Sequence, residues 1–349
     1  LNAPTNILSA QGQRVQIFGD LRGNLPRIDI GLDAPLTAYG LRSTGNGALN
    51  IGLNEGYFTQ TIDQSKLGNG KWGVGAWTTS FYTASTMGAG ADNVYRFLGT
   101  NATLGITQTN ALSGTASLWV GAPQYDAGFA LGNTSASVRL YGDQSYTGNT
   151  TIFRSDNTGN TNNFLEILGN SASPVFDVFG RLTARGDGRF TDDNGNQVNT
   201  VNLYQGSTLR LDYSMDVNDT MLISRLDNSN LGLESDENKW GDTTALFLDG
   251  ATINLVSSGG RVNRERVGDI TVKNGAAVYL ERNSTNGQMI LETSSINRVG
   301  QATFAVRENA NELGRVDLQG QKFFIDNGLS MLDAQGLLPV WMTNPSRNT

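Results

Sequence analysis

Apolar and polar residues alternate in short runs along most of this chain, and Gly, Asn or Asp bounds each run. Examples are Val15-Gln16-Ile17-Phe18, Ala48-Leu49-Asn50-Ile51 and the segment Ala-Ser-Val-Arg-Leu at residues 136–140. A period of two residues places alternate side chains on the same face, as in a β-strand that buries one face. No apolar stripe with helical spacing is sustained, so the pattern predicts an all-β chain.

A longer phrase recurs at residues 201–211, 245–255 and 270–280. Each copy predicts a strand, a turn that contains glycine, and a second strand. Glycine allows backbone angles that a side chain would penalise, and the small residue after it permits a tight corner. When the copies are aligned through their glycines, six apolar residues of the second strands fall into two inward columns, namely Leu209, Leu211, Ile253, Leu255, Val278 and Leu280.

Repetition at a few tens of residues indicates a solenoid, because one coil cannot bury its apolar face and its neighbours must stack on it. We therefore expect a right-handed parallel β-helix, an elongated β-solenoid with coils of roughly 22 residues. Residues 1–92 are less regular and are expected to carry lateral loops. Residues 93–349 are expected to form the repetitive part.

Composition removes several classes of function. The 349 residues include no Cys and no His, so thiolate zinc sites and every catalytic arrangement that needs either residue are excluded. Only 16% of residues are charged, the net charge is −7 and the 25 basic residues are scattered, which argues against a nucleic-acid partner. No apolar stretch is long enough for a helical membrane span, and the first residues do not read as a secretory leader. The chain is expected to be a mature or internal segment of a longer protein.

Residues 139–152, Arg-Leu-Tyr-Gly-Asp-Gln-Ser-Tyr-Thr-Gly-Asn-Thr-Thr-Ile, carry a more specific phrase. This phrase, near residues 133–155, resembles the autotransporter-associated β-strand repeat of bacterial passenger-type surface proteins. Residues 95–106 resemble the strand that precedes this repeat, and residues 336–342 resemble the apolar Pro-Trp phrase that closes a unit. The resemblance implies a bacterial stalk or adhesin located outside the cell or on its outer surface.

Two acidic segments are candidate sites. Asp192, Asp193 and Asn194 offer the oxygen ligands that Ca²⁺ prefers, although a solvated turn is the favoured interpretation because the spaced acids of a calcium-binding loop are missing; Asp216, Asn218 and Asp219 are similar. No other cofactor is expected. Acids at 234–237 precede Trp240, which would suit a carbohydrate-active enzyme, but they also fit a polar loop.

Aromatic residues are concentrated between Trp72 and Tyr82, and include Trp77 and Phe81. They fit either internal packing or an exposed contact surface for a partner or a glycan. Trp341 lies in an apolar C-terminal phrase that does not resemble a polar cap. Trp72, Trp77, Phe81 and Trp341 are therefore candidate residues for self-association or surface contact.

These features favour a non-catalytic structural segment of a secreted bacterial surface protein or extracellular fibre. Its expected partners are copies of itself or neighbouring segments of a larger chain. An adhesin that binds glycans or cell surfaces is the alternative. A carbohydrate-active β-helix enzyme is more remote.

Overall fold

A computed structural model describes residues 14–18, 48–52, 57–58, 61–67, 70–76, 79–98, 102–123, 136–154, 163–186, 188, 190, 200–214, 244–257, 262–282, 288–308 and 321–343. The chain divides into two compact units, Leu1–Glu166 and Ile167–Thr349. The predicted change near residue 92 concerned regularity rather than compactness, and it stays a prediction.

The regular elements described in the first unit are mostly short strands. They are β1 (Arg14–Phe18), β2 (Ala48–Gly52), β3 (Tyr57–Phe58), β4 (Ile62–Asp63), β5 (Gly73–Ala76), β6 (Ser80–Tyr82), β7 (Met87–Gly88), β8 (Val94–Phe97), β9 (Thr103–Ile106), β10 (Ser117–Val120), β11 (Ser137–Leu140) and β12 (Thr150–Ile152). Strand β13 (Phe164–Ile167) spans the boundary between the units in the sequence. Short 3-10 turns occupy Gln64–Lys66 and Ala91–Asn93.

The second unit contains longer strands. They are β14 (Val175–Val178), β15 (Arg181–Arg185), β16 (Thr200–Leu203), β17 (Thr208–Asp212), β18 (Ala245–Asp249), β19 (Thr252–Val256), β20 (Val262–Glu281), β21 (Gln288–Glu308), β22 (Lys322–Ile325) and β23 (Met342–Thr343). A 3-10 turn occupies Gly328–Met331.

Strands in the first unit pair in parallel with the strand one coil later. One ladder runs β1–β2–β5–β8–β10–β12, a second runs β3–β6–β9–β11, and β4 pairs with β7. Parallel pairing with a return path through other ladders is the topology of a parallel β-solenoid. The predicted fold is confirmed.

The second unit follows the same plan in a three-sided form. The long strand β20 pairs with β18 through Ile270, with β19 through Val278 and with β21 along most of its length, and the first part of β21 pairs with β22. Paired residues from β18 to β21 are 24 to 28 positions apart, as Leu246 with Ile270 and Gly275 with Thr303 illustrate, so these coils are longer than predicted.

The predicted columns of the second strands are confirmed. Leu209 lies opposite Ile253, which lies opposite Val278, and Leu211, Leu255 and Leu280 form the next column. All six side chains are at most 1% exposed. The intervening Arg210 and Asn254 point outward and are half-buried.

The first strands of the repeated phrase were aligned incorrectly by one residue. Val201 pairs with Leu246 rather than Ala245, and Leu246 in turn pairs with Ile270. Four residues separate Leu203 from Thr208, whereas three separate their partners Leu248 and Thr252. The corner thus absorbs a difference in length, and both flanking strands keep their inward faces.

The corner also needs a left-handed backbone residue. Gly206 and Gly250 adopt φ angles of 80° and 72°, as the glycine turn predicts. In the third copy Asn274, rather than Gly275, adopts a φ of 58°. Asparagine is among the few residues other than glycine that tolerate this region.

Buried amide side chains hydrogen-bond backbone groups inside the first unit. The Gln64 Oε1 atom accepts a hydrogen bond from the Arg96 amide at 2.8 Å, and the Gln64 Nε2 group donates to the Arg96 carbonyl. Gln144 similarly accepts from the Leu112 amide, and Asn163 accepts from the Ala136 amide. These contacts supply hydrogen-bond partners for buried main-chain groups. A buried main-chain group without a partner would lower the stability of the fold.

Candidate functional site

The aromatic residues between Trp72 and Tyr82 divide between the interior and the surface of the first unit. Trp72 is 2% exposed and Tyr82 is fully buried, so both belong to the core. Trp72 therefore cannot supply a surface contact, and this part of the prediction was wrong. A bulky indole enclosed within a coil stabilises the fold instead. Trp77 lies outside the described residues.

Tyr82 anchors the inner side of this region. Its ring stacks on Phe58 with centroids 6.1 Å apart, its hydroxyl accepts a hydrogen bond from the Ile62 amide, and it donates one to the Thr86 carbonyl. Burial raises the pKa of Tyr82 to about 12. The phenol is thus held in its neutral form as a structural group.

Phe81 lies on the opposite, outward side of the same strand. It stacks on Tyr57 with ring centroids 5.4 Å apart and contacts Tyr141 with centroids 6.0 Å apart. Tyr57 is 53% exposed and Tyr141 is 37% exposed. We call Tyr57, Phe81 and Tyr141 the aromatic strip. Phe81 itself is half-buried, and its use as a contact stays a prediction.

Gly105 allows the rings of Phe81 and Tyr141 to approach each other over β9. Phe81 lies opposite Gly105 in the parallel register of β6 and β9. A Cβ atom on Gly105 would approach Phe81 to 2.8 Å and Tyr141 to 2.9 Å, closer than side chains pack. Because this position has no side chain, the two rings approach each other over it, with their planes tilted by 53°.

One end of the strip is fixed by a charged pair. The Arg139 guanidinium contacts the carboxylate of Glu166, whose side chain is 5% exposed. Partial burial opposes the charge on Arg139, but a hydrogen bond with Tyr141 and the nearby charge of Glu166 raise its pKa above the ordinary value. Glu166 thus pairs with Arg139 and balances its charge beside Tyr141.

Hydroxyl groups border the strip. On one side, the hydroxyls of Thr83 and Thr107 donate hydrogen bonds to the Phe58 and Tyr82 carbonyls. On the other side, the hydroxyl oxygens of Thr103 and Ser137 are 3.0 Å apart. Each hydroxyl retains acceptor capacity, so the aromatic strip has polar margins.

The last coil of the second unit exposes apolar side chains that elsewhere would be enclosed. Phe323 and Ile325 pair with Leu291 and Thr293, which are buried inward residues, yet both are half-exposed. Beyond them the most exposed apolar residues are Leu329 at 86%, Leu337 at 62%, Leu338 at 51% and Val340 at 96%. We call residues 321–343 the open coil.

Trp341 belongs to the open coil and is half-exposed. Its ring packs under the Arg298 guanidinium, 5.6 Å from the centroid, and its carbonyl accepts a hydrogen bond from the Phe304 amide. Trp341 is thus already engaged within its own unit. Its participation in self-association stays a prediction.

The second unit carries an aromatic pair that the sequence did not single out. Phe179 and Tyr204 stack almost parallel, with centroids 4.1 Å apart and an interplanar angle of 4°. Burial and the neighbouring carboxylates of Asp177 and Asp249 raise the pKa of Tyr204. The two rings are 25 residues apart in sequence, and only the coil register brings them together.

The acidic residues proposed as metal-binding or catalytic candidates lie outside the described residues. This group comprises Asp192, Asp193, Asn194, Asp216, Asn218, Asp219, Glu234, Asp236 and Glu237, together with Trp240. Among the residues that are described, no three acidic side chains gather closely enough to hold a metal ion. The calcium prediction therefore stays a prediction.

No helix in the described ranges has the length and apolarity needed to cross a membrane. Comparison with known proteins identifies no matching family model, no matching curated protein and no matching solved structure.

Proposed function

We propose that this chain is a non-catalytic structural segment of a secreted bacterial surface or extracellular fibre protein, and that it associates with copies of itself or with neighbouring segments of a larger chain. The observation that carries the proposal is the open coil. Phe323 and Ile325 are half-exposed, whereas their partners Leu291 and Thr293 in the preceding coil are buried, and Val340 is 96% exposed.

The open coil offers exposed apolar side chains and an outer strand, and a further coil would cover the first and pair with the second. Its inward side chains Phe323 and Ile325 are half-exposed, and burying such a side chain gains about 1.5–3 kcal/mol. Outer strands in a sheet also offer backbone groups for pairing with another chain. A second solenoid segment matches both requirements because it supplies an apolar layer and a strand edge at the same spacing.

Light scattering of the isolated chain over a range of concentrations tests the proposal. We expect reversible assembly that Val340→Lys and Leu337→Lys each weaken at least about tenfold, since a charge in a buried contact costs more than 1.4 kcal/mol. Gln205→Lys, at an exposed corner in the same unit, is the matched control and should assemble normally.

A strictly monomeric chain at high concentration contradicts the proposal. Assembly that is unaffected by both open-coil variants contradicts the assignment of the surface. Electron microscopy of the native material provides the second test, because a structural segment should form part of a rod with a regular repeat.

A further inference from the structure

The aromatic strip of the first unit is independent of the open coil and has a different chemistry. Its rings lie side by side: Tyr57 and Tyr141 are exposed and Phe81 is half-buried. The angle between ring planes is 22° for Tyr57 and Phe81 and 53° for Phe81 and Tyr141. Tyr57 and Phe81 lie on the paired strands β3 and β6. Tyr141 directly follows β11, and its amide donates a hydrogen bond to the Ile106 carbonyl of β9, so strand pairing sets the spacing of the three residues.

We propose that the aromatic strip binds a neutral glycan chain, with successive sugar rings lying against Tyr57, Phe81 and Tyr141. A pyranose ring has an apolar face of C–H groups and a periphery of hydroxyls. The negative face of an aromatic ring attracts those C–H groups. Hydroxyls of Thr83, Thr107, Thr103 and Ser137 on the two margins match the sugar hydroxyls.

Shape and charge favour a sugar over a protein partner. The strip is a single row of rings between polar margins, whereas the core of a protein interface is a broader apolar patch with polar groups only at its rim. The charge of Arg139 is balanced by Glu166, so this end of the strip has no net charge to select an acidic ligand. A neutral saccharide therefore fits better than a uronate or sulfated chain.

The strip is also ordered before any ligand binds. The Arg139–Glu166 ion pair lies next to Tyr141, and the rings of Tyr141 and Phe81 pack against each other over Gly105. A preformed platform loses little conformational entropy on binding, which strengthens an otherwise weak stacking contact.

Isothermal titration calorimetry with four soluble neutral hexasaccharides tests the proposal: β-1,4-linked glucose, α-1,4-linked glucose, β-1,4-linked N-acetylglucosamine and β-1,4-linked mannose. We expect binding of at least one of them. Tyr57→Ala and Tyr141→Ala should each weaken it at least about fivefold. Val299→Ala is the control, because it removes an apolar side chain of the second unit that is 46% exposed and lies outside both the strip and the open coil, and it should leave affinity unchanged.

Circular dichroism and the melting temperature of each variant establish that the fold is retained; Tyr57 is the more decisive position because over half of its surface is exposed. Failure of all four sugars to bind the wild-type chain overturns the proposal. Binding that survives both tyrosine variants overturns the assigned location. Equal or tighter binding of hexagalacturonate overturns the neutral chemistry, and loss of self-association in place of sugar binding identifies the strip as a protein contact.

Discussion

The hydroxyl of Tyr146 lies 2.7 Å from Oγ1 of Thr150, and both side chains are fully buried. Between them, Thr147 and Gly148 hydrogen-bond through their amides to the carbonyls of Gly114 and Ala116 in the preceding coil. The phrase Tyr-Thr-Gly-x-Thr therefore describes a coil corner. The tyrosine fills the core, the glycine passes close to the coil beneath, and the threonine satisfies the phenol.

Replacing both members of this pair should reveal their interaction. Tyr146→Phe and Thr150→Val each leave one buried hydroxyl without this partner, and each should lower the free energy of unfolding by about 1–3 kcal/mol. The double variant should lose less than the sum, by about 1 kcal/mol. Urea denaturation of the four chains measures this coupling; strict additivity would show that the two hydroxyls do not depend on each other.

Gly148→Ala should be strongly destabilising, because an added Cβ overlaps the Ala116 carbonyl oxygen and lies 2.6 Å from the Ser117 amide nitrogen. We expect a loss of about 1–3 kcal/mol or more. Gly275→Ala is a matched control, since its Cβ would meet only the Thr303 hydroxyl oxygen at 3.4 Å. Thermal unfolding should separate the two variants, and equal melting temperatures would contradict the close approach at Gly148.

Leu255→Ala should lower the free energy of unfolding by about 2–5 kcal/mol, because it opens a cavity in a column formed with Leu211 and Leu280. Asn254→Ala should cost little. The Asn254 side chain points outward, and its Oδ1 atom is buried without a hydrogen-bond partner. Chemical denaturation of both variants checks the register, since equal losses would mean that inward and outward positions are exchanged.

Stability should fall in alkaline solution partly through Tyr82. Its pKa is raised from 10.0 to about 12 in the folded chain, so the folded state retains a proton that the unfolded state releases between these values. The stabilising contribution is complete below pH 10 and is lost as the pH rises towards 12, on the order of 2 kcal/mol in total.

Denaturation between pH 9 and about 11.5 should therefore show a shallower decline for Tyr82→Phe than for the unmodified chain. The comparison concerns the slope, because removing the hydroxyl also lowers stability at neutral pH. Tyr57→Phe, at an exposed tyrosine, is the control and should keep the original slope. If the free energy of unfolding fell with pH at the same slope in all three chains, Tyr82 would not be the cause of the alkaline loss of stability.

Local alternation predicted the strands, because each strand buries every second residue independently of its neighbours, and the recurring phrase predicted the solenoid and its inward columns. The register between first strands was not predictable in the same way. Val201 pairs with Leu246 only because the two corners differ by one residue, and both corners contain a glycine that invites direct alignment.

The surface site was harder to predict for a different reason. Trp72 and Phe81 look alike in an aromatic stretch, yet one is enclosed and the other faces outward. Tyr57 and Tyr141 complete the strip from other coils, and Tyr141 reaches it by leaning over Gly105. Such proximity depends on coil length and on the absence of a side chain, neither of which a local pattern records.

The corner between the paired strands has a consequence for how such chains diverge. An inserted residue at the turn after Leu203 or Leu248 leaves every inward side chain in place, whereas the same insertion within β17 or β19 would turn a whole strand inside out. Natural selection should therefore tolerate length changes at corners and remove them from strands. The spacing between repeats would then vary among related chains while the solenoid fold is kept, so the fold would stay similar after the similarity in sequence is lost.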